Sequence, residues 1–223
     1  MILMSNIRWV SELAAKADTV LDVGGWWCPF NLATHVLDVM PYQTRRHHEA
    51  LDPEHPQRFS AQTWTIHDVC RTPWPYPDKF FEFSFCSQIL EDVRDPMTVC
   101  AELVRVSRAG YIETPSRVRE IFSKARWYSI RSLIGRSPPI GYDHHLWYVE
   151  VAGTHLRFIP KEKRMLSRQN IITRGDLNRK LTEIESGISL FWQDTFTSEY
   201  LPQPIESELQ QFREEALYSL RGG

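Results

Sequence analysis

Short runs of apolar residues recur through the first half of the chain, and each ends at a glycine, a proline or a polar side chain. Runs of roughly four to eight residues with such boundaries are typical of strands buried on both faces of a sheet. The pattern predicts strands at residues 19–23, 34–38, 63–69, 79–87 and 110–115. Before the fourth strand, Pro73, Pro75 and Pro77 predict an extended loop, because each proline fixes φ and disfavours helix in the preceding residue.

Two segments of this half have the spacing of a helix. Residues 7–17 place apolar side chains three or four positions apart, on one helical face. A second helix is predicted to begin at Pro96, with Asp95 as its N-cap, and to end before Gly110. Short apolar strands that alternate with helices or loops indicate a parallel sheet with right-handed crossovers. In such a sheet, ligands bind at the carboxyl ends of the strands.

The second half of the chain has a different pattern. Residues 117–136 carry six basic side chains against one acid, which fits either an amphipathic helix or a patch that faces an acidic substrate. Two alternating runs between residues 146 and 161 predict a β-hairpin that turns at Ala152–Gly153. A partly alternating run at 188–201 and a terminal helix at 205–220 follow.

Composition limits the partners and the compartment. The chain has 223 residues, 42% of them hydrophobic, and a formal net charge of −2. This length fits one α/β domain with insertions, or a domain with a small accessory lobe. Without a basic surplus, we expect neither a nucleic acid nor a membrane as partner. The four cysteines form no CxxC pair, the first residues lack the pattern of a signal peptide, and no run is long enough to span a membrane. We therefore expect reduced thiols and a cytoplasmic protein.

The carboxyl ends of the predicted strands carry the side chains that a nucleoside site needs. The first strand ends in Asp22-Val23-Gly24-Gly25, the second at Asp38, the third at His67-Asp68 and the fourth at Ser87-Gln88. A glycine turn lets the backbone approach a ligand closely, and a carboxylate after the second strand can accept hydrogen bonds from both ribose hydroxyls. These residue types in this order predict a nucleoside site at the carboxyl edge of the sheet.

The same segments resemble a known family. The glycine turn after Asp22, the acid Asp38 and the unbroken stretch 68–115, with its PYPD, FEF, CS, LED and DP features, are similar to the class I S-adenosylmethionine-dependent methyltransferases, especially the small methyltransferase type 11 domains. The resemblance covers residues 19–116. Together with the predicted hairpin, it implies an α/β fold with a Rossmann-like, mostly parallel sheet, an antiparallel C-terminal hairpin and helices on both faces. It also implies S-adenosyl-L-methionine as the cofactor.

The resemblance implies a set of cofactor-binding residues, all at or just after strand ends: Asp22, Gly24, Gly25, Asp38, Asp68, Val69, Ser87 and Gln88. Those after the first strand would flank the methionine part of the cofactor, and Asp38 would hold the ribose diol. Asp68 and Val69 would lie at the adenine, and the two residues after the fourth strand would face the sulfonium and the acceptor. Each acid could instead be a turn residue, and the last pair a helix cap.

The glycine segment departs from the family pattern. Trp26 and Cys28 stand where the family has further glycines. Only 16 positions separate Asp22 from Asp38, whereas in the family a helix usually lies between the corresponding acids and lengthens this connection. The connection is close to the minimum length of a crossover, so we expect a shortened first crossover with one helical turn or none. Three aromatic side chains, Trp26, Trp27 and Phe30, are predicted to fill the space of the missing helix; stacking on a substrate is their alternative role. This departure leaves open the alternative that the protein descends from this family but has lost methyl-transfer activity.

Candidate catalytic residues lie in the segment 142–145, where the family places its variable, substrate-recognising part. Methyl transfer to a hydroxyl needs a base for the hydroxyl proton, and histidine titrates near neutral pH. We therefore predict His145, His144 and Tyr142 as catalytic residues, although the histidines could equally be surface or packing residues. No metal site is expected, because no third ligand has a helpful spacing along the chain.

These observations together predict an S-adenosylmethionine-dependent methyltransferase of a small molecule or glycan, with O-methylation as the reaction. The expected single domain has a cofactor-binding half (1–116), a substrate-recognition insertion (117–160) and C-terminal strands and helix (161–223). The alternative is a catalytically degenerate binding or scaffold protein of the same fold. A nicotinamide-dependent oxidoreductase is disfavoured, because the later glycines of G-x-G-x-x-G do not follow Gly24.

Overall fold

The computed structural model describes residues 3–45, 55–124, 140–142 and 144–222. Its strands are β1 (Val20–Val23), β2 (His35–Asp38), β3 (Trp64–Ile66), β4 (Phe81–Ser87), β5 (Ser107–Pro115), β6 (Phe122–Ser123), β7 (Trp147–Ala152), β8 (His155–Pro160), β9 (Ile172–Thr173), β10 (Gly187–Gln193) and β11 (Thr197–Tyr200). Its α-helices are α1 (Met4–Ala14), α2 (Pro96–Val106), α3 (Arg117–Ile121), α4 (Arg174–Leu177), α5 (Glu183–Ser186) and α6 (Glu206–Leu220).

The main sheet contains all the strands predicted in the first half of the chain. In the described residues its order is β10-β5-β4-β1-β2-β3. Along this order, each neighbouring pair between β5 and β3 is parallel, whereas β10 is antiparallel to β5. The register pairs Asp22 of β1 with Val36 of β2 and Phe85 of β4. The carboxyl ends of these strands therefore meet at one edge, and the predicted mostly parallel α/β sheet is confirmed.

The predicted hairpin is present as β7 and β8, with Gly153 of its turn at a φ of +63°. It lies outside the main sheet, because β8 also pairs with β11 in a separate three-stranded sheet. The antiparallel edge strand of the main sheet is β10 instead. The partly alternating run at 188–201 is thus divided between two sheets, and the chain changes direction at Asp194, which has a φ of +62°.

Helices cover both faces of the main sheet, as predicted. On one face, Val10 and Ala14 of α1 pack with Val36, Phe83 and Tyr111. On the other face, α2 and the three-stranded sheet contribute to one larger cluster that includes Leu21, Leu37, Val99, Leu103, Leu156 and Phe158. Among the described residues, no helix combines the length and the apolar character needed to cross a bilayer.

The connection between β1 and β2 has no helix, as its short length predicted. Within residues 24–34, Phe30 is fully buried and stacks on Phe85 of β4, with ring centroids 4.7 Å apart. Trp26 packs at the margin of the same apolar cluster. Trp27 remains half exposed, so the prediction that it also fills this space is wrong. Two aromatic side chains therefore occupy the space that a crossover helix would fill.

The second predicted helix begins as expected but ends early. The Oδ1 of Asp95 accepts a hydrogen bond from the N–H of Thr98 (3.1 Å), which caps α2. The helix α2 ends at Val106 and β5 follows it without a loop, so the prediction that Gly110 lies just past the helix end is wrong. A Cβ at Gly110 would lie within 2.8 Å of Ser84 Oγ and Trp192 Nε1. Gly110 therefore lies in β5, where its neighbours on β4 and β10 approach closely.

The basic segment 117–136 does not form the single helix that its spacing allowed. The helix α3 ends at Ile121 and is followed directly by β6, and residues 125–139 lie outside the described residues. Arg117 forms an ion pair with Glu150 of β7 (2.8 Å), and its guanidinium carbon lies 3.8 Å from the ring centroid of Phe212. This basic side chain is therefore engaged by the protein itself.

Candidate functional site

A pocket of about 460 Å³ opens at the carboxyl ends of β1 and β4, which is the edge that the parallel sheet predicts for a ligand. We call it the strand-end pocket, and its lining residues are Asp22, Gly24, Gly25, Trp26, Trp27, Cys28, Phe85, Ser87, Gln88, Asp92 and His144. Five of the predicted cofactor residues and one predicted catalytic histidine thus lie around a single space.

Asp22 is a buried acid at the base of this pocket. Its side chain accepts a hydrogen bond from the N–H of Phe30 through Oδ2 (2.9 Å), and the residue is only 2% exposed. Burial raises its pKa to about 7; the Phe30 hydrogen bond acts in the opposite direction, and the nearby Asp38 charge adds to the rise. Asp22 can therefore donate or accept a proton near neutral pH.

The two glycines are required by the protein's own packing. Gly24 has a φ of +78°, and a Cβ there would lie 1.9 Å from Ile89 Cδ1. A Cβ at Gly25 would lie 2.3 Å from Asp22 Oδ2. Glycine at these positions lets the turn after β1 pack directly against Ile89 and the buried acid.

Ser87 is the last residue of β4, and Gln88 follows it. The strand β4 flanks β1 on the side away from β2. The Ser87 hydroxyl is buried and has no hydrogen-bond partner in the part of the chain that the structure describes. Gln88 has a φ of +59°, and its N–H donates to the Glu113 carbonyl of β5 (2.8 Å). Because buried hydroxyls in proteins almost always have a partner, Ser87 is a candidate to bind a ligand group.

The structure does not bring Asp38 into the pocket lining. Its Oδ2 accepts a hydrogen bond from the N–H of Trp26 (3.0 Å), and its Oδ1 accepts one from the N–H of Met40 (2.7 Å). Burial raises the pKa of Asp38, and these backbone donors lower it in part. Both oxygens are thus engaged in holding the turns that follow β1 and β2.

Asp68 and Val69 also lie outside the pocket lining. The Asp68 carboxylate forms an ion pair with Arg94 (2.9 Å) and accepts a hydrogen bond from the N–H of Cys70 (2.9 Å). Val69 packs against the larger apolar cluster, and its carbonyl accepts from Trp74 Nε1 (2.9 Å). In this structure, both residues stabilise the proline-rich loop before β4.

The predicted catalytic residues lie together, but at different depths. His144 lines the strand-end pocket, with its Nε2 3.9 Å from Asp92 Oδ1. His145 is buried behind it, and its Nδ1 lies 2.5 Å from Glu120 Oε1. The Tyr142 ring stacks on His145 with centroids 4.5 Å apart and lines a neighbouring small pocket. His144 is therefore the histidine that a ligand in the strand-end pocket can reach.

Backbone hydrogen bonds hold this segment against the end of β4. The Glu91 carbonyl accepts from the N–H groups of Leu146 (2.7 Å) and Trp147 (3.2 Å). Both carboxyl oxygens of Glu91 are buried without a partner among the described residues. Burial is the main cause that raises the pKa of Glu91 well above its usual value.

Sequence reasoning missed three charged residues of this region. Asp92 lies 3.7 Å from His145 Nε2, and Glu120 forms ion pairs with both His145 and Lys161. Burial alone would raise the pKa of Glu120, but the His145 hydrogen bond and the Lys161 charge outweigh it, so that this pKa is lowered. Only Asp92 had a signal, because it belongs to the LED stretch that follows the fourth predicted strand.

Comparisons with known proteins find similarity only at the level of solved structures, since no family model and no curated protein matches. The N-terminal domain of EvdMO1, solved in the presence of S-adenosylhomocysteine and D-fucose, is 16% identical over 96% of this chain and 72% of its own, with a TM-score of 0.38. The fold itself is Rossmann-like, with a mostly parallel central sheet.

Two further structures match over shorter parts. The [4+2]-cyclase SpnF is 17% identical over 51% of this chain and 45% of its own, with a TM-score of 0.36. Phosphoethanolamine N-methyltransferase 2 of Haemonchus contortus, bound to phosphomonomethylethanolamine and S-adenosylhomocysteine, is 13% identical over 59% of this chain and 32% of its own, with a TM-score of 0.34. The chain therefore spans less than half of the length of these two proteins.

Proposed function

We propose that this chain is an S-adenosyl-L-methionine-dependent methyltransferase that acts on a hydroxyl group of a small molecule or glycan. The observation that carries the proposal is the strand-end pocket, which gathers Asp22, Gly24, Gly25, Ser87 and Gln88 at the edge of the sheet where parallel α/β folds bind ligands. Its volume of about 460 Å³ lies within the usual range of small-molecule sites, roughly 300–1,000 Å³.

The polar groups of the pocket suit such a cofactor. Ser87 has a buried hydroxyl with no partner among the described residues, and Asp22 has a carboxyl with a pKa of about 7. These groups can bind the amine and hydroxyl groups of the cofactor, and Gln88 lies beside them. When bound, the cofactor supplies a methyl group on a positively charged sulfur.

His144 is the proposed group that takes the acceptor proton. It lies at the pocket wall, and the Asp92 carboxylate, 3.9 Å from its Nε2, would stabilise the charged imidazole that results. His145 and Tyr142 act as positioning residues, because they pack behind His144. The protein's main contribution is orientation, since holding two reacting atoms about 3–3.5 Å apart can supply roughly 7–11 kcal/mol of the barrier.

We propose that the chain has the three parts that its sequence predicts. Residues 1–116 form the cofactor-binding half, and the segment 117–160 contacts the acceptor, since it contributes His144 to the pocket. The part 161–223 supplies β10, which completes the main sheet.

A second candidate is a binding or scaffold protein of this fold without transfer activity. The observation that favours it is the engagement of Asp38, whose two oxygens accept hydrogen bonds from the N–H groups of Trp26 and Met40. A carboxylate offers about four acceptor sites, so these two hydrogen bonds leave some sites of Asp38 unused. Asp38 can bind ribose through them only if its side chain becomes accessible from the pocket. Both candidates predict a ligand in the strand-end pocket, and only the enzyme requires methyl transfer.

Calorimetric titration with S-adenosylmethionine and S-adenosylhomocysteine tests the proposal. We expect both to bind, and Ser87→Ala to weaken binding about three- to tenfold, which is the effect of one lost hydrogen bond. Ser107→Ala is the matched control, because Ser107 also has a buried hydroxyl without a partner in the described residues but lies at the amino end of β5. The control should bind as the wild type does.

The outcomes separate the candidates. If neither compound binds at millimolar concentration, the methyltransferase proposal is rejected. If both bind but no methyl group is transferred to any member of a panel of small alcohols, phenols and sugars, the scaffold candidate is favoured. If Ser87→Ala and Ser107→Ala weaken binding equally, the cofactor does not contact the strand-end pocket as we propose.

A further inference from the structure

Three side chains that can bind a metal ion converge at the wall of the strand-end pocket. The Nε2 atoms of His144 and His145 lie 3.9 and 3.7 Å from Oδ1 of Asp92. One ligand atom from each residue lies within 4.8 Å of the other two. These nitrogen–oxygen distances are longer than hydrogen bonds. The three groups therefore point to one small space without bonding to one another.

The spacing fits a shared coordination sphere. Zinc binds imidazole nitrogen and carboxylate oxygen at about 2.0–2.2 Å, so neighbouring ligands of a tetrahedral ion are roughly 3.4 Å apart. The observed separations of 3.7 and 3.9 Å exceed this by a few tenths of an ångström. Small rotations of exposed side chains close such a difference, and both Asp92 and His144 are exposed.

A second observation supports the same conclusion. The Glu120 carboxylate lies 2.5 Å from Nδ1 of His145, and Lys161 forms an ion pair with the other Glu120 oxygen. With Nδ1 engaged by this carboxylate, Nε2 is the ring nitrogen left to bind an ion, and it lies 3.7 Å from Asp92 Oδ1. Histidine ligands of metal ions almost always have such an outer carboxylate or carbonyl partner. His145 is thus already oriented as a ligand.

We propose that Asp92, His144 and His145 bind one divalent transition-metal ion of the zinc class. Two imidazoles and one carboxylate suit Zn²⁺ and its neighbours, whereas Mg²⁺ and Ca²⁺ prefer all-oxygen sites. Three protein ligands leave a coordination position open. Because Asp92 and His144 line the strand-end pocket, this position faces the space where the acceptor would bind.

The site extends the proposed function but does not depend on it for binding. An ion at this position would bind the acceptor hydroxyl and lower its pKa. In that state His144 is a ligand, and the bound hydroxyl, whose pKa the ion lowers, would release its proton to solvent water. This catalytic role rests on the proposed methyltransferase activity, whereas the metal site itself is tested without any cofactor.

Direct metal binding tests the proposal. The tag-free 223-residue chain is stripped with a chelator and titrated with Zn²⁺ by calorimetry and with Co²⁺ by visible absorption. We expect one equivalent of either ion, with the d–d absorption of a four- or five-coordinate Co²⁺ centre. His144→Ala and Asp92→Asn should each weaken binding by at least about tenfold, and the outer-partner variant Glu120→Gln by about 10–100-fold.

The matched control is His155→Ala. His155 also forms an ion pair with a carboxylate, since its Nε2 lies 2.9 Å from Glu199 Oε1, but this pair lies on the three-stranded sheet. The control should bind the ion as the wild type does. Glu120 is buried, so circular dichroism must show that Glu120→Gln is folded, and the exposed His144→Ala and Asp92→Asn test the proposal if it is not.

Three results would overturn the proposal. They are the absence of stoichiometric binding, wild-type affinity in both His144→Ala and Asp92→Asn, and a sulfur-to-cobalt charge-transfer band that disappears in Cys28→Ser. If S-adenosylhomocysteine binds but Zn²⁺ and Co²⁺ do not, the metal site is rejected and the proposed function stands. If Zn²⁺ or Co²⁺ binds but S-adenosylhomocysteine does not, the metal site stands and the proposed function is rejected.

Discussion

The buried carboxyl of Asp22 predicts how the stability of this protein depends on pH. Asp22 is 2% exposed, and burial raises its pKa from 3.8 to about 7. In the unfolded chain, the carboxyl is solvated and titrates near its ordinary value. Asp22→Asn removes this titration but keeps the side-chain shape and an oxygen that can accept the Phe30 N–H.

The sign and size of the effect follow from the two pKa values. Between pH 4 and pH 7, the folded state binds more protons at Asp22 than the unfolded state does, so the free energy of unfolding falls as the pH rises. A difference of about 3 pKa units corresponds to ~4 kcal/mol, of which ~3 kcal/mol is lost between pH 5 and pH 8. This is an upper bound, because water that enters the pocket would solvate the charge.

Urea denaturation of both proteins at pH 5, 6, 7 and 8 measures this difference. The free energy of unfolding of Asp22→Asn, relative to the wild type, should rise steadily from pH 5 to pH 7 and level off above it. The other buried acids are present in both proteins, so their titrations largely cancel in the comparison. A stability difference that stays constant across this range, or that favours the wild type as the pH rises, would refute the reasoning.

Two further predictions concern the backbone. Gly24→Ala should lower the free energy of unfolding by about 2–4 kcal/mol, because its Cβ would lie 1.9 Å from Ile89 Cδ1. Gly153→Ala is the control: Gly153 also has a positive φ but has nothing within 4 Å of the added Cβ, so it should cost only about 1 kcal/mol. Equal losses of the two variants in urea denaturation would contradict this reasoning. Asp95→Ala should cost ~1 kcal/mol at pH 7. The Thr98 hydrogen bond lowers the pKa of Asp95, so this cost should shrink as the pH falls below 4, and a pH-independent cost would argue against the cap.

The main sheet could be predicted because its signals are local. Strands buried on both faces are continuous apolar runs, and the carboxyl ends of neighbouring parallel strands meet at one edge. This pattern by itself places Asp22 and Ser87 at one site. The capping of α2 by Asp95 depends on residues three positions apart, and the missing crossover helix follows from the short spacing between β1 and β2.

Sequence patterns alone determined the fold class of this protein and the edge of the sheet where a ligand would bind. Only the tertiary structure decided which side chains share that edge. Asp92 meets His144 and His145 because the Glu91 carbonyl binds the N–H groups of the segment after His145, a contact between distant parts of the chain. Asp38 accepts hydrogen bonds from nearby backbone N–H groups instead of lining the pocket. The physical reason is that residue spacing encodes local conformation and burial, whereas the meeting of distant side chains depends on how the second half of the chain packs over the first.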